Sequence, residues 1–483
     1  MNLTADSFIA LLPILITSAT AVLVMLSISV RRHHWWNATL TVVGLNLALL
    51  SIIYASRVIP QAVTPLLMVD GYALLYMAII LVATLGCATL SHAYLKEYGG
   101  NREEMYLLLV LAATGGLVLT CSRHMASLFI GLELLSVPVY AMVAYMFREK
   151  RSLEGGIKYM ILSAVASAFL LFGMALLYAQ FGQLGFAEIG VEIAGEHAHG
   201  PLVFAGVALM LAGLGFKLSL APFHLWTPDV YQGAPAPVGA FLATASKVAV
   251  FAVLLRFIAE APAAHMGILR DVLLAIAIAS ILIGNLLALT QTNLKRLLGY
   301  SSIAHFGYVL VAIVAGNNIT FEAVAVYLVT YVVTTLGAFG VVALMSSPYR
   351  GQDADAVSHY RGMFWRRPYL TGVFIAMLLS LAGIPATAGF IGKFYVITAG
   401  VESGEWWALA AVVVGSSIGL YYYLRVLVTS CLPTPGMQKF DAELDWGQQT
   451  GGLMVLAMTF LVFLIGLYPQ PILELIQAAT IAL

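Results

Sequence analysis

The chain has 483 residues, of which 61% are hydrophobic and only 10% are charged, whereas water-soluble proteins carry about 25% charged residues. This composition excludes an ordinary soluble domain and calls for a chain embedded in the lipid bilayer. Lysine plus arginine and aspartate plus glutamate balance at 23 each, so no excess of positive charge draws in nucleic acid, which is excluded as a partner.

A membrane-crossing helix needs about 20 largely apolar residues. By that measure about fourteen segments are predicted, over 8–29, 37–56, 71–95, 104–121, 124–147, 155–180, 202–226, 236–259, 268–291, 298–316, 322–346, 368–397, 406–431 and 450–468. The first is too long for a signal-peptide core and has no basic region before it, so it reads as a retained helix. The stretches between segments are short and leave no room for a soluble domain. The expected fold is an all-α polytopic membrane protein forming one membrane domain. The cysteines Cys87, Cys121 and Cys431 are scattered without CxxC spacing and offer neither a metal site nor a disulfide framework.

Loop lysines and arginines are retained on the cytoplasmic side. Loops after odd-numbered segments hold Arg31 and Arg32; Lys96 and Arg102; Arg148, Lys150 and Arg151; Lys295 and Arg296; Arg350, Arg361, Arg366 and Arg367; and Lys439. Loops after even-numbered segments hold Arg57 and Arg123, with Arg270 at a helix edge. The asymmetry predicts that both termini lie outside the cytoplasm, on the periplasmic side of a bacterial inner membrane. The acidic loop 182–201, with Glu188, Glu192 and Glu196 and no basic residue, fits the outer face.

Charged residues inside the apolar segments are the candidates for chemistry. A lysine at the centre of a membrane helix costs roughly 2.5 to 3.5 kcal/mol on insertion scales, and desolvation makes such a lysine easier to deprotonate. Glu133 sits near the middle of the fifth segment and needs a cationic partner, for which Lys217 in the seventh is the candidate; the plain alternative is an ion pair that only locks two helices. Lys217 is followed five residues later by Pro222 in Leu-Ser-Leu-Ala-Pro-Phe-His. Lys247 lies mid-way along the eighth segment, too deep to snorkel, because its stem reaches only about 6 Å while a helix rises about 1.5 Å per residue. Lys393 comes late in the twelfth, after Leu-Ala-Gly-Ile-Pro385-Ala-Thr-Ala-Gly-Phe-Ile-Gly. His224 and His305 are weaker candidates for intermediate proton carriers; a lone helical histidine more often serves packing. Lys158, Arg256, Glu322 and Arg425 lie near segment ends and read as snorkelling side chains. The stretch 226–237 is dense in turn formers, with Asp229 placed to cap a helix. No Walker loop, GxGxxG or haem motif is present, so redox cofactors and nucleotide hydrolysis have no site in this chain.

The interrupted segments, the seventh and twelfth, are five spans apart and therefore cross in opposite directions. Paired interrupted helices in corresponding positions point to a transport site. They predict two inverted five-helix repeats, helices 4–8 over 104–259 and helices 9–13 over 268–431, preceded by three helices in 1–103 and followed by helix 14 at 450–468.

The run Gly215-Phe-Lys-Leu-Ser-Leu-Ala-Pro-Phe-His-Leu-Trp-Thr-Pro-Asp-Val-Tyr-Gln-Gly-Ala-Pro-Ala-Pro237, with Ser246-Lys247, Lys295-Arg-Leu-Leu-Gly-Tyr-Ser-Ser-Ile303 and Gly389-Phe-Ile-Gly-Lys-Phe394, resembles the antiporter-like membrane subunits of proton-translocating NADH:quinone oxidoreductase, respiratory complex I. The resemblance covers nearly the whole chain. Larger members of that family carry a C-terminal lateral helix; this chain ends soon after its fourteenth segment and is similar to the shorter members. The resemblance implies fourteen helices with a discontinuous helix in each inverted repeat. It also implies proton-handling roles for Glu133, Lys217, Lys247 and Lys393, the last less secure because one sibling has a glutamate there. The implied partners are other complex I subunits, above all neighbouring antiporter-like and small membrane subunits. NADH, FMN, iron–sulfur clusters and quinone are implied in those partners and no cofactor in this chain.

The expected mechanism is proton transfer along an intramembrane axis driven by quinone reduction elsewhere. Glu133 tunes Lys217, which exchanges protons with Lys247 through water and His224 or His305, and Lys393 ends the path toward the outer face. Two rivals are a monovalent cation/proton antiporter subunit and a structural subunit whose charges only hold helices together.

Overall fold

The computed structural model describes residues 4–96, 98, 100–194, 200–261, 267–349, 353–433 and 440–480; Glu196, Arg350 and Lys439 of the expected loop charges lie outside the described residues. A short helix α1 (Ala5–Ala10) leads into α2 (Leu12–Val30) and α3 (His34–Ala55). A two-stranded antiparallel hairpin follows, β1 (Gln61–Thr64) and β2 (Leu67–Val69), and then α4 (Gly71–Leu95), α5 (Glu104–Thr120) and α6 (Met125–Val143). Next come α7 (Lys150–Phe181), α8 (Phe186–Ala194), α9 (Pro201–Lys217), α10 (Thr227–Gly233), α11 (Ala236–Ala243) and α12 (Ala245–Glu260). The rest of the chain is α13 (Gly267–Leu289), α14 (Leu294–Ala315), α15 (Thr320–Ser346), α16 (Met363–Arg366), α17 (Pro368–Ala382), α18 (Ala388–Ser403), α19 (Trp406–Cys431), α20 (Thr450–Leu467) and α21 (Gln470–Thr480).

Among the described residues, eleven helices are long and apolar enough to cross a membrane, with α11 and α12 counted together, and three shorter apolar helices, α5, α9 and α17, fill the other predicted segments. The apolar window of α2 is 28% buried and that of α20 33%, while those of α14 and α15 are 94% buried. The peripheral helices therefore show apolar side chains outward, as lipid requires. The central ones face protein on all sides, so their polar residues are enclosed.

The packing recurs between the two predicted repeats. Helix α5 packs on α6 as α13 packs on α14, α9 on α7 as α18 on α15, and α12 on α5 as α19 on α13. The α7–α9 contact is close because Gly173 and Gly206 meet there; a Cβ on Gly173 would lie 2.6 Å from the Gly206 carbonyl oxygen. Small residues at such crossings let helix backbones approach directly.

Several expectations change. Segment 236–259 is two helices, interrupted at Thr244, whose hydroxyl bonds back to Ala240 O at 2.6 Å. The stretch 226–237 contains α10, started by Pro228 in its first turn. Asp229 does not cap that helix; it pairs with Lys158 at 2.9 Å and with Arg296 at 2.5 Å. Partial burial works to push the Asp229 carboxyl up, but hydrogen bonds from Arg296 and Lys158 outweigh it and hold it below the usual range. Arg256 does not snorkel. It is 1% exposed and makes a two-pronged pair with Asp70, 2.8 Å on each prong, while bonding the Thr120 carbonyl that ends α5. Asp70 also caps α4 by accepting from Ala73 N, so this pair ties α4, α5 and α12 together. Arg425 behaves as a helix-end residue, donating to the O of Leu289, which ends α13, and to Gln291 O just beyond it.

Candidate functional site

Helix α9 stops at Lys217 because Ser219 adopts a left-handed conformation (φ 61°) and Pro222 offers no amide hydrogen. The freed backbone is satisfied by protein: Leu220 N donates to Gly215 O at 2.8 Å, and Ala221 N donates to the Ser280 hydroxyl of α13 at 2.9 Å. The Trp226 indole donates to Phe216 O and closes the break. Non-helical backbone at membrane depth persists only where such partners exist.

Lys217 is 5% exposed, and its ammonium donates to the hydroxyls of Ser136 on α6 and Ser163 on α7, each at 2.7 Å. Glu133 is not its hydrogen-bonding partner. The carboxylate instead accepts from Ser167 at 2.6 Å, so the expected direct ion pair is replaced by a layer of serines. The Tyr140 hydroxyl also donates to Ser163, at 2.6 Å, and its ring lies 6.0 Å from the Lys217 nitrogen.

Lys247 is 1% exposed and sits just past the Thr244 interruption. Its ammonium donates to the main-chain carbonyl of Lys217 at 2.6 Å and to the Ser219 hydroxyl at 2.5 Å, and lies 4.8 Å over the Trp226 ring. Ser219 accepts a second bond from Thr227 at 2.8 Å. Lys217 and Lys247 thus form one contiguous polar unit around the α9 break, with Glu133 and Ser167 a helical turn away along α6 and α7.

The second unit surrounds His305 on α14. Its Nδ1 bonds the Tyr327 hydroxyl at 2.6 Å and its Nε2 the Tyr423 hydroxyl at 3.2 Å, and Tyr423 is bonded in turn to Ser301. Lys393 on α18 donates to Ala382 O at 2.7 Å, the last carbonyl of α17, which the break leaves free. Gly383 makes this possible: it is left-handed (φ 86°), and a Cβ there would lie 2.7 Å from Lys393 Cδ. Ala386, also left-handed (φ 69°), completes the break. Lys393 and His305 both lie against Tyr308, the nitrogen 5.4 Å from its ring and the imidazole edge-on at 5.6 Å. A small void among His305, Thr330, Thr334 and Ser380 borders this unit.

Phe306 stands between the two units, 5.7 Å from the Lys247 nitrogen and edge-on to Tyr331, which packs on His305. His224 joins neither unit; it is buried beside the Pro222 backbone and makes no hydrogen bond through Nδ1. Sequence reasoning missed Ser136, Ser163, Ser167, Ser219, Tyr327 and Tyr423. The only signal for them was polar residues within otherwise apolar, buried helices.

The family described as NADH:quinone oxidoreductase/Mrp antiporter, TM, matches residues 122–419, which include the first unit and all of the second but Tyr423. The chain is 62% identical over its whole length to NADH-quinone oxidoreductase subunit N of Ectopseudomonas mendocina (strain ymp), covering 99% of that protein. It is 59% identical to the subunit of the same name from Chromohalobacter salexigens, with 98% of each covered. It superposes on a chain of respiratory complex I from Thermus thermophilus with bound aureothin at a TM-score of 0.82 and 35% identity, covering 96% of this chain and 98% of that one. A chain of the Mrp complex from Dietzia sp. DQ12-45-1b shares the fold at a TM-score of 0.84 and 20% identity, over 99% and 97% of the two chains.

Proposed function

Because the chain belongs to the NADH:quinone oxidoreductase/Mrp antiporter family, we propose that protons cross the membrane along an axis running from Glu133 through Lys217 and Lys247 to His305 and Lys393. The chain is a proton-translocating membrane subunit of NADH:quinone oxidoreductase, and the other subunits of that complex are its partners. Cofactors belong to those subunits; in this reading they hold NADH, FMN, iron–sulfur clusters and quinone.

The observation that carries the axis is the direct bond from the Lys247 ammonium to Lys217 O at the break in α9. One lysine is held by the backbone of the other, so a change at Lys217 is felt at Lys247. Energy released by quinone reduction enters by altering the charge balance at Glu133 and Lys217, since moving an ionised neighbour changes how readily a buried lysine holds its proton. His224 lies off the axis, and His305 is the histidine that serves it. In this reading the units 104–259 and 268–431 are inverted repeats, each contributing a half-channel, and the chain sits in a bacterial plasma membrane with both termini periplasmic.

The test is Lys217→Ala in the assembled complex in membrane vesicles. NADH-driven proton pumping should fall relative to NADH oxidation; full proton stoichiometry would remove Lys217 from the path. Sodium- or potassium-dependent proton exchange without NADH would instead favour a cation antiporter.

A further inference from the structure

Resting on that reading, we propose that Ser163 and Ser167, on one face of α7, relay protons between Lys217 and Glu133. On α6, Glu133, Ser136 and Tyr140 are spaced three and four residues apart; on α7, Ser163 and Ser167 are four apart. Such spacings place side chains on a common helix face. The two faces meet in two rungs, Tyr140 to Ser163 and Ser167 to Glu133, each 2.6 Å long. Lys217 bonds Ser163 and Ser136 from α9.

The bonding pattern sets these serines apart from the buried hydroxyls that fold back on their own helices. Thr84 bonds back to Ile80 O, Ser91 to Cys87 O and Thr114 to Val110 O, the usual way in which an apolar helix hides a hydroxyl. Ser136, Ser163 and Ser167 turn to side chains of neighbouring helices instead. Ser163 accepts from both Lys217 and Tyr140. A hydroxyl has two acceptor lone pairs and one proton, so Ser163 retains its own proton to pass on.

The transfer balances with one water as the only added participant. Residues four apart on a helix have Cβ atoms about 5–6 Å apart, a gap that one water spans. The Lys217 ammonium gives a proton to Ser163 Oγ. Ser163 gives its original proton to the water, the water gives one to Ser167 Oγ, and Ser167 gives its proton to Glu133 Oε1. Lys217 ends as a neutral amine and Glu133 as a neutral acid; the serines and the water regain one proton for each lost. The reverse sequence restores both charges.

Ser163→Ala, Ser167→Ala, Ser167→Thr, Glu133→Gln and the double variant Glu133→Gln/Ser167→Ala test this in the assembled complex in vesicles, with proton pumping measured against NADH oxidation. The relay predicts a several-fold loss of pumping for each serine-to-alanine variant at normal assembly, recovery with Ser167→Thr, and no further loss when Ser167→Ala is added to Glu133→Gln. Full pumping by Ser167→Ala, or losses that add in the double variant, would overturn it. Loss of pumping by Lys217→Ala with normal Ser163→Ala and Ser167→Ala defeats the relay alone; normal pumping by Lys217→Ala defeats the axis itself.

Discussion

The ammonium of Lys247 is anchored on the main-chain carbonyl of Lys217, 30 residues earlier in the chain. A carbonyl inside a continuous helix is already bonded within its own helix; this one is free because α9 ends at that residue. The break is therefore what makes the acceptor, and it brings a second buried cation to the first. Lys247→Gln should keep a hydrogen bond to Lys217 O while losing the exchangeable charge. Complex assembly is expected to stay near normal and proton pumping to fall at least tenfold relative to NADH oxidation, as read by dye quenching in vesicles.

Ser219 holds both sides of this arrangement, accepting from Lys247 and Thr227 while its backbone is left-handed. A non-glycine residue in that region costs of order 1–3 kcal/mol. Ser219→Gly should relieve the strain and Ser219→Ala should keep it, while both remove the hydroxyl. Thermal unfolding of the purified complex is expected to rank the glycine variant above the alanine variant, with pumping reduced in both. Equal stability of the two would show that the conformation is not strained.

Arg256 and Asp70 form the most enclosed ion pair described in the chain, with side chains 1% and 6% exposed. Removing one partner of a buried pair leaves an uncompensated charge and costs roughly 3–5 kcal/mol. Asp70→Asn also keeps a cap for α4, so its damage comes from the stranded guanidinium and not from loss of the cap. Both Arg256→Met and Asp70→Asn should lower the amount of assembled complex sharply, whereas the double variant should recover part of it. Quantifying the subunit in purified membranes distinguishes the three.

The apolar windows located the helices, because burial in lipid is the constraint that composition reports most directly. The same windows hid two features. The interruption at Thr244 has no proline or glycine to mark it; the residue at the break is a threonine whose hydroxyl bonds back to Ala240 O, as in an unbroken helix. The C-terminal helix α21 escaped because it is short and amphipathic, packing on α4 and α15 with Ile476 buried. In the candidate site the charges Glu133, Lys217, Lys247 and Lys393 were legible, being costly in lipid. The serines and tyrosines between them were not, because a hydroxyl in an apolar helix is commonplace and only the packing shows whether it turns to its own backbone or to a neighbour. Arg256 was misread for a related reason: distance to a helix end says nothing of whether a carboxylate from another helix waits there.

At the start of α6, His124 caps the helix by accepting from Ala126 N through Nδ1 at 3.1 Å, a role open only to the ring with that nitrogen unprotonated. Burial pushes the His124 imidazole below its ordinary value, with Glu188 opposing. The folded state therefore favours the neutral ring. The cap contributes stability in full above about pH 6.5, the unfolded value, and the contribution is lost as the pH falls from there through the lower folded value. His124→Asn supplies a cap whose acceptor does not titrate. Between pH 7.5 and 5.5 the thermal midpoint of the wild-type complex should fall more steeply than that of His124→Asn, as followed by unfolding monitored at this subunit. Parallel pH dependence of the two would exclude protonation of the cap as the cause.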